Sequence, residues 1–155
     1  MKIERLENEN TPIFDTIVEW NYEWWGKKIG ISREQLKCQM AHSLKKGDRL
    51  PQTFVAIDEG RAVGMYQLSM VDDLAGRPDI YPWLVNVYVD KAERGKNICR
   101  QLMETVKEKA KDAGIDELYL YTSHVGLYEK FGWEFVEYVD TFKHAEKERL
   151  YKLKI

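Results

Sequence analysis

An apolar strand that leads through a charged turn into an amphipathic helix limits the folds open to this chain. Trp83–Val89 is apolar at almost every position, as expected for a central strand covered on both faces. After the charged turn Asp90–Lys96, apolar residues recur every four positions from Ile98 to Ala110, which predicts a helix packed on a sheet. Two strands of a predicted hairpin, within 53–71, come before this unit. Three consecutive strands before the helix exclude a regular doubly wound sheet and a TIM barrel.

The remaining segments predict a mixed, α+β arrangement. Thr11 before Pro12 is typical of a helix start, and Ser32 with Gln35 has the spacing of a capping box for a second helix. The predicted order of elements is β-α-α-β-β-β-α-β-α-β-β. The other predicted elements are the strands Lys2–Glu7, Leu118–Tyr121, Trp133–Asp140 and Arg149–Ile155 and a short helical turn at Leu127–Lys130.

Four apolar residues of the first helix share one helical face. Ile13, Ile17, Trp20 and Trp24 follow at helical spacing, and we expect them to be buried in the core. Trp25 leaves this stripe and could line a pocket instead.

Composition places the chain among ordinary globular proteins. The 155 residues are 44% hydrophobic and 32% charged, which predicts a single domain over residues 1–155. The net charge of −2 argues against nucleic acid or an anionic membrane as partner. No run approaches the ~20 apolar residues of a membrane span, and the first residues lack an apolar signal core, so we expect a cytoplasmic protein. Cys38, Cys99 and three histidines lack the spacing of a disulfide framework or a metal site.

The turn before the long helix has the chemistry of an anion site. The first amides of a helix have no partners within the helix, and the helix dipole favours an anion there. Residues 91–111 contain seven Lys or Arg and three Asp or Glu, and Gly95 lets the backbone approach a ligand. A solvated basic turn without a ligand is the alternative. Nucleotide hydrolysis and dinucleotide binding lose support because the Walker and Gly-x-Gly-x-x-Gly motifs are absent.

Two motifs, in order, resemble those of the GCN5-related N-acetyltransferase (GNAT) superfamily. Arg94–Cys99 occupies the place of the family's Arg/Gln-x-x-Gly-x-Gly/Ala loop, after a Val-x-Lys turn at Val89–Lys91. Gly126–Trp133 resembles the family's Tyr-Glu-Lys-x-Gly-Phe segment. This sequence departs from the family's loop motif at two positions. Asn97 and Cys99 stand in place of the usual glycines, and their side chains narrow the approach of the loop to phosphate.

The resemblance covers essentially the whole chain and implies a GNAT-like fold, with a central mixed, mostly antiparallel sheet of about seven strands flanked by about four helices. It implies transfer of an acetyl group from acetyl-CoA to a primary amine of a small molecule or peptide, directly and in a ternary complex, without a metal. It leaves open whether the chain forms a homodimer. The cofactor-binding residues that it implies are Val87, Tyr88, Val89, Arg94, Gly95, Lys96, Asn97, Ile98, Cys99, Arg100 and, in place of the family's frequent asparagine, Ser123.

The resemblance also assigns Tyr128 as the general acid that protonates the leaving thiolate; a core tyrosine is the alternative. The base that takes the proton of the amine is not assigned, because Val85 and Asn86 stand where many relatives carry a glutamate. The remaining candidates are Asp72, Asp73, Glu23, His124 and a chain of water molecules.

On the acceptor side, we expect Trp25, Asp72 and Asp73 to contribute. The loop Asp72–Asp79 contains three aspartates, which suits a cationic acceptor, although a solvated acidic loop is equally consistent with it. A second function class is a non-catalytic acyl-CoA-binding or regulatory module that has kept the fold. The departures at Asn97 and Cys99 favour this alternative, whereas Tyr128 argues against it.

Overall fold

The computed structural model describes residues 1–44, 47–74 and 76–155. The strands are β1 (Lys2–Arg5), β2 (Gln52–Asp58), β3 (Arg61–Ser69), β4 (Trp83–Val89), β5 (Glu117–Thr122), β6 (Glu134–Val139) and β7 (Glu148–Lys154). The α-helices are α1 (Pro12–Asn21), α2 (Arg33–Ala41) and α3 (Ile98–Asp112). A π-helical turn lies at Tyr22–Gly26, and 3₁₀ turns lie at Lys27–Ile29, His42–Leu44, Lys91–Glu93 and Tyr128–Phe131.

The strands form one mixed sheet with the order β1-β2-β3-β4-β5-β7-β6. β1 pairs antiparallel with β2, and β7 pairs antiparallel with both β5 and β6. β4 and β5 pair in parallel, with Trp83 opposite Tyr119. The predicted element order and the mostly antiparallel sheet are confirmed. The short turn predicted as the fourth helix is a 3₁₀ turn one residue further along the chain.

The chain divides into two compact units, each with its own core. The first unit comprises Met1–Gln67 and Asn86–Leu102, and its core contains Phe14, Ile17, Leu36, Val55 and Met65. The second unit comprises Leu68–Val85 and Met103–Ile155, and its core contains Leu74, Ile80, Trp83, Val139 and Leu150. A single domain over residues 1–155 stays a prediction.

The helix starts follow the local sequence signals. The Thr11 hydroxyl accepts a hydrogen bond from the Phe14 amide at 3.2 Å, with proline at the first helical position. Ser32 and Gln35 make both hydrogen bonds of a capping box, at 3.1 and 2.9 Å. Along α3, the predicted stripe from Ile98 to Ala110 is buried. Among the described residues, no helix is both long and apolar enough to cross a bilayer.

The prediction that Trp24 is buried in the core is wrong. Its side chain is 42% exposed, whereas Trp20 is partly buried against the core of the first unit. The cause is the π-helical turn at Tyr22–Gly26, which changes the helical period after α1 and rotates the following side chains. Asn21 takes the inward position at the end of α1 and is fully buried.

Candidate functional site

The turn from β4 into α3 is held in place by its own backbone and side chains. The Asp90 amide donates to the Val63 carbonyl at 3.0 Å, which fixes the end of β4 against β3. The Asp90 carboxylate accepts from the Ala92 amide at 3.3 Å and caps the 3₁₀ turn. Arg94 Nε donates to the Val89 carbonyl at 3.2 Å, which ties the start of the loop back to the strand. The loop is therefore a defined structure before any ligand binds.

Within the loop, two residues adopt left-handed backbone angles. Gly95 has a φ of +84°, and no atom lies within 4 Å of the position that its Cβ would occupy. Asn97 has a φ of +64°, and asparagine tolerates this region better than most residues. The Gln101 amide makes a helical hydrogen bond to the Asn97 carbonyl at 3.2 Å. The amides of Ile98 and Cys99 lie before it, in the first turn, where no intrahelical carbonyl is available.

Close packing against β3 positions the first turn of α3. A Cβ on Gly64 would lie 3.1 Å from Ile98 Cγ2, 3.1 Å from the Tyr88 carbonyl oxygen and 3.3 Å from Leu102 Cδ1. Any larger residue would therefore displace the helix or the strand. Gly64 thus sets the position of the helix end that carries the anion site.

The cationic side chains of the loop, Arg94 and Lys96, are exposed. Lys96 donates to Glu93 at 2.6 Å, and its side chain is 62% exposed. The Arg94 guanidinium lies 5.8 Å from the centre of the Tyr88 ring. Burial raises the pKa of the Cys99 thiol, so this cysteine is a neutral, small residue at neutral pH and not a thiolate nucleophile.

A polar chain that was not predicted from the sequence runs inward from β4 through the first unit. Asn86, with a φ of +53°, donates from Nδ2 to Gln67 Oε1 at 2.6 Å. Gln67 Nε2 donates to Thr53 Oγ1 at 2.7 Å, and the Thr53 and Ser43 hydroxyls lie 2.5 Å apart. Since Ser43 donates to the Met40 carbonyl at 2.6 Å, Thr53 donates to Ser43, and every donor points the same way. The feature of the sequence that could have indicated this chain is the presence of polar Thr53 and Gln67 within two otherwise apolar strands.

Aromatic side chains surround Tyr88 on β4. The ring centres of Trp20 and Trp24 lie 5.1 and 5.6 Å from that of Tyr88. Trp25 is partly buried, and its indole N–H donates to Asn21 Oδ1 at 3.0 Å. Trp25 thus packs beside the core of the first unit, and its part in acceptor binding stays a prediction.

In the second unit, Tyr128 opens the 3₁₀ turn after β5. Its side chain is 8% exposed, and its ring packs edge-on against Trp133 and obliquely against Tyr151, with centres 6.1 and 6.4 Å apart. The turn ends at Gly132, which has a φ of +87°. Tyr128 therefore lies in a fixed aromatic environment. Both a general acid and a core tyrosine are consistent with this position.

Two adjacent carboxyl groups of the second unit, Asp72 and Asp73, share one site. The Asp73 amide donates to Asp72 Oδ1 at 2.8 Å, and the Tyr121 hydroxyl donates to Asp73 Oδ1 at 2.6 Å. Burial and the neighbouring Asp73 raise the pKa of Asp72 to about 8. Although burial opposes it, hydrogen bonds from Asp72 and Tyr121 hold the pKa of Asp73 below its ordinary value. At neutral pH, Asp72 therefore carries a proton and Asp73 a charge.

The other candidate residues are on the surface. Ser123 and His124 are exposed after β5, and the His124 amide donates to Thr122 Oγ1 at 3.1 Å. Glu23 is exposed and forms ion pairs with Lys27 and Arg33. Of the four side chains considered as the base, Asp72 and Asp73 are the two that are partly buried. One residue of their loop, Ala75, lies outside the described residues.

The predicted site residues thus fall into two groups. Val87–Val89, the loop Arg94–Arg100 and Trp25 lie in the first unit, whereas Asp72, Asp73, Ser123 and Tyr128 lie in the second. Within 1–44, 47–74 and 76–155, no three His, Cys, Asp or Glu side chains converge in a way that could hold a metal ion.

The sequence profile of the acetyltransferase (GNAT) family matches residues 13–133, which include both motifs and most of the chain. The chain belongs to this family. The predicted resemblance is therefore confirmed. No curated protein matches the sequence.

Solved structures of other acetyltransferases share the fold. An aminoglycoside 6'-N-acetyltransferase complexed with coenzyme A superposes with a TM-score of 0.72 at 17% identity, over 99% of this chain and 97% of that one. A probable acetyltransferase from Staphylococcus epidermidis gives 0.71 at 15% identity, over 99% and 98%. A GNAT family acetyltransferase from Elizabethkingia anophelis with acetyl-CoA bound gives 0.68 at 19% identity, over 99% and 97%.

Family membership also bears on the two departures in the GNAT loop motif. Asn97 adopts the positive φ that a glycine of the motif would provide without strain. The Cys99 side chain is partly buried. The loop backbone is therefore formed despite the missing glycines.

Proposed function

We propose that this chain is an N-acetyltransferase that moves an acetyl group from acetyl-CoA to a primary amine by direct transfer in a ternary complex. The observation that carries the proposal is the turn from β4 into α3. It combines left-handed Gly95 and Asn97, open first-turn amides and cationic side chains at the position of the family's loop motif. Acetyl-CoA supplies the activated acetyl group. In the net reaction, the sulfur loses the acetyl group and gains a proton. The amine nitrogen loses a proton and gains the acetyl group.

The loop would hold the pyrophosphate. The amides of Gly95–Cys99 provide donors, and the dipole of α3 adds a favourable potential. Because Gly95 has open space around its Cα, the backbone can approach phosphate oxygens closely. Arg94, Lys96 and Arg100 add positive charge, and backbone groups of Val87–Val89 would bind the pantetheine arm.

Asn86 would orient the attacking amine. Its Nδ2 is committed to Gln67, so its Oδ1 is directed away from the polar chain and can accept a hydrogen bond from an N–H group. Because donation runs in one direction from Asn86 to the Met40 carbonyl, the amide has one favoured orientation. Such positioning supplies a large share of the rate in bimolecular reactions.

Tyr128 would protonate the departing thiolate. A phenol, with an ordinary pKa near 10, is matched to a thiol of pKa ~8.5, so the proton transfer is close to balanced. Its fixed aromatic surroundings hold the hydroxyl in one place. Ser123, at the end of β5, would contribute a hydrogen bond to the cosubstrate.

The attacking amine must lose a proton before or during transfer. Asp73 and Asp72 are the partly buried carboxyl groups among the candidate bases, and water can relay a proton to either of them or to solvent. Because Asp73 is ionised and hydrogen bonded to Tyr121, it is a weak base. Solvent relay is therefore the route that we favour.

The proposal is tested in two steps on the full chain. Acetyl-CoA binding is measured by calorimetry for the wild type, Gly95→Glu and Gly30→Glu. Both glycines have positive φ, +84° and +80°, and open space, so the two variants impose equal backbone strain. We expect Gly95→Glu to weaken binding at least tenfold, because its carboxylate lies beside phosphate, and Gly30→Glu to bind normally.

Thiol release from acetyl-CoA is then followed with a panel of primary amines. Release that depends on an amine supports the proposal. Acetyl-CoA binding without release on any amine would instead support the non-catalytic module, and equal binding by both glutamate variants would place the cosubstrate elsewhere.

A further inference from the structure

The exposed Trp24 lies over Tyr88, a residue of the strand that carries the proposed site. The Trp24 side chain is 42% exposed, and its ring centre lies 5.6 Å from that of Tyr88. The ring of Trp20 contacts the same tyrosine at 5.1 Å and is partly buried against the core of the first unit. Trp24 and Tyr88 therefore form an aromatic surface beside β4 that is in part open to solvent.

The π-helical turn Tyr22–Gly26 holds Trp24 in this position. Gly26 is buried, and a Cβ there would lie 3.1 Å from Ile31 Cγ2 and 3.3 Å from Leu36 Cδ2. The Ile31 amide donates to the Gly26 carbonyl at 3.1 Å, so the turn is fixed by packing and by its backbone. π-Helical turns are rare and occur frequently at functional sites. Here the turn takes Trp24 out of the core stripe and places it against β4, which indicates contact with a ligand.

Tyr88 lies close to both parts of the proposed site. It follows Asn86 by two residues on β4, and alternate residues of a strand are about 6.6 Å apart. The guanidinium carbon of Arg94 lies 5.8 Å from the Tyr88 ring centre, and Arg94 Nε donates to the Val89 carbonyl at 3.2 Å. Along β4, the aromatic surface therefore lies between the amide that would orient the amine and the loop that would hold the pyrophosphate.

Asn86 and the two rings are on the same face of the sheet. Asn86 donates to Gln67 on β3 at 2.6 Å. Gln67 follows Met65 by two residues and shares its face, and the Met65 sulfur accepts from Asn21 Nδ2 at 3.2 Å. Asn21 ends α1, and the turn that carries Trp24 follows it directly. An acceptor whose amine is held by Asn86 therefore reaches Trp24 without crossing the sheet.

The charges beside the two rings favour an uncharged group there. The Glu23 carboxylate, next to Trp24 in the chain, already forms ion pairs with Lys27 and Arg33. Arg94 adds a positive charge beside Tyr88, which would repel a cationic group bound on the same ring. An aromatic ring would instead gain apolar contact and a stacked or edge-on arrangement with both side chains.

We propose that Trp24 and Tyr88 bind an aromatic ring of the acceptor, and we call this surface the ring subsite. The inference rests on the proposed acetyl transfer, in which Asn86 orients the attacking amine. Because Asn86 and Tyr88 are separated by a single residue of β4, the ring and the amine of the acceptor are joined by a short linker. The acceptor would therefore be an arylalkylamine, with Trp24 and Tyr88 as the residues that determine this specificity.

The test compares phenethylamine with n-propylamine, which carries no ring, as acceptors for the full chain. Thiol release at saturating acetyl-CoA gives kcat/KM for each amine, and the wild type should prefer phenethylamine at least tenfold. Trp24→Ala should lower this preference at least tenfold, mainly through KM for phenethylamine, and Trp24→Phe should retain most of it. Phe142→Ala is the matched control, because it removes a 77% exposed aromatic ring in the second unit, and it should keep the preference.

Melting temperatures verify that each variant is folded, and Trp24→Leu replaces Trp24→Ala if the latter is not. Equal use of both amines by the wild type, an unchanged preference in Trp24→Ala or an equal loss in Phe142→Ala would overturn the ring subsite and leave acetyl transfer standing. Calorimetry with phenethylamine in the presence of CoA separates the opposite case. Phenethylamine binding that Trp24→Ala weakens at least tenfold, without thiol release on any amine, would keep the ring subsite and remove acetyl transfer.

Discussion

At the level of single residues, the proton on Asp72 is the feature with the clearest consequence for stability. Its pKa of about 8 in the folded chain compares with an ordinary value of 3.8. Between these values the folded state holds a proton that the unfolded state has released. Unfolding is therefore favoured as pH rises, by at most about 1.4 kcal/mol per pH unit from this group.

Asp72→Asn should remove this pH dependence. The amide resembles the protonated carboxyl group and cannot ionise in the unfolded chain. We expect the melting temperature of Asp72→Asn relative to the wild type to rise steadily from pH 5 to pH 8 and then to level off. Thermal denaturation at half-unit pH intervals measures this. Asp48→Asn, at an exposed position, should show no such trend, and a flat difference for Asp72→Asn would mean that Asp72 is ionised in the fold.

Tyr128→Phe tests the general acid. The change removes one hydroxyl and keeps the ring, so packing against Trp133 and Tyr151 is preserved. If Tyr128 protonates the thiolate, kcat and kcat/KM should fall together, by roughly 10- to 1000-fold, with acetyl-CoA affinity nearly unchanged. Initial rates of thiol release give kcat and kcat/KM, and calorimetry gives the affinity for acetyl-CoA. Tyr81→Phe, at a side chain that is 54% exposed, is the control. Full activity of Tyr128→Phe would assign Tyr128 to packing.

Site residues could be predicted from the sequence where the residues that define their role are close neighbours in the chain. The loop Arg94–Cys99 was found because its motif, glycine and helix start lie within a few residues. The burial of Glu148, the first residue of β7, was not predicted, because it depends on the pairing of β7 with β5 and β6. The exposure of Trp24 was missed because a π-helical turn breaks the 3.6-residue period on which the stripe was predicted.

At the level of elements, the contact between β3 and the start of α3 links packing to the proposed anion site. Gly64→Ala places a Cβ about 3.1 Å from the Tyr88 carbonyl and from Ile98, and a backbone atom cannot rotate away. We expect a loss of about 1–3 kcal/mol in unfolding free energy, as for other overpacked sites. Acetyl-CoA affinity should fall as well, because the helix end shifts. Urea denaturation and calorimetry test both, and unchanged affinity would show that the first turn of α3 can move without loss of binding.

The polar chain between β4, β3 and β2 makes a second prediction at this scale. Gln67→Leu removes the side-chain partner of the partly buried Asn86 and the donor to the buried Thr53 hydroxyl, which should cost about 1–3 kcal/mol of unfolding free energy. Gln101→Leu, the same change on the exposed side of α3, should stay within about 0.5 kcal/mol. Urea denaturation of both variants decides the matter, and equal stability would show that water replaces Gln67 in the chain.

The elements themselves were largely predictable, since their signals are periodic and local. Thr11 and the pair Ser32 and Gln35 cap their helices as the sequence indicates. The bounds of β4 are as predicted, and the other strand boundaries differ from the prediction by at most two residues, because they depend on pairing partners elsewhere in the chain. The polar chain from Asn86 could not be predicted, because it joins three strands and a helix end by side chains only.

At the level of the whole molecule, the proposed cosubstrate should stabilise the folded state. A ligand that binds only the folded chain adds about 2.7 kcal/mol when its concentration is 100 times Kd. For a chain of 155 residues, each kcal/mol shifts the melting temperature by roughly 2–4 °C, so acetyl-CoA should raise it by roughly 5–11 °C. The shift should grow with the logarithm of concentration, which distinguishes specific binding from a general salt effect. Potassium phosphate at equal ionic strength is the control. The absence of any rise at millimolar acetyl-CoA would contradict both acetyl transfer and a CoA-binding module, because each requires the folded chain to bind the cosubstrate.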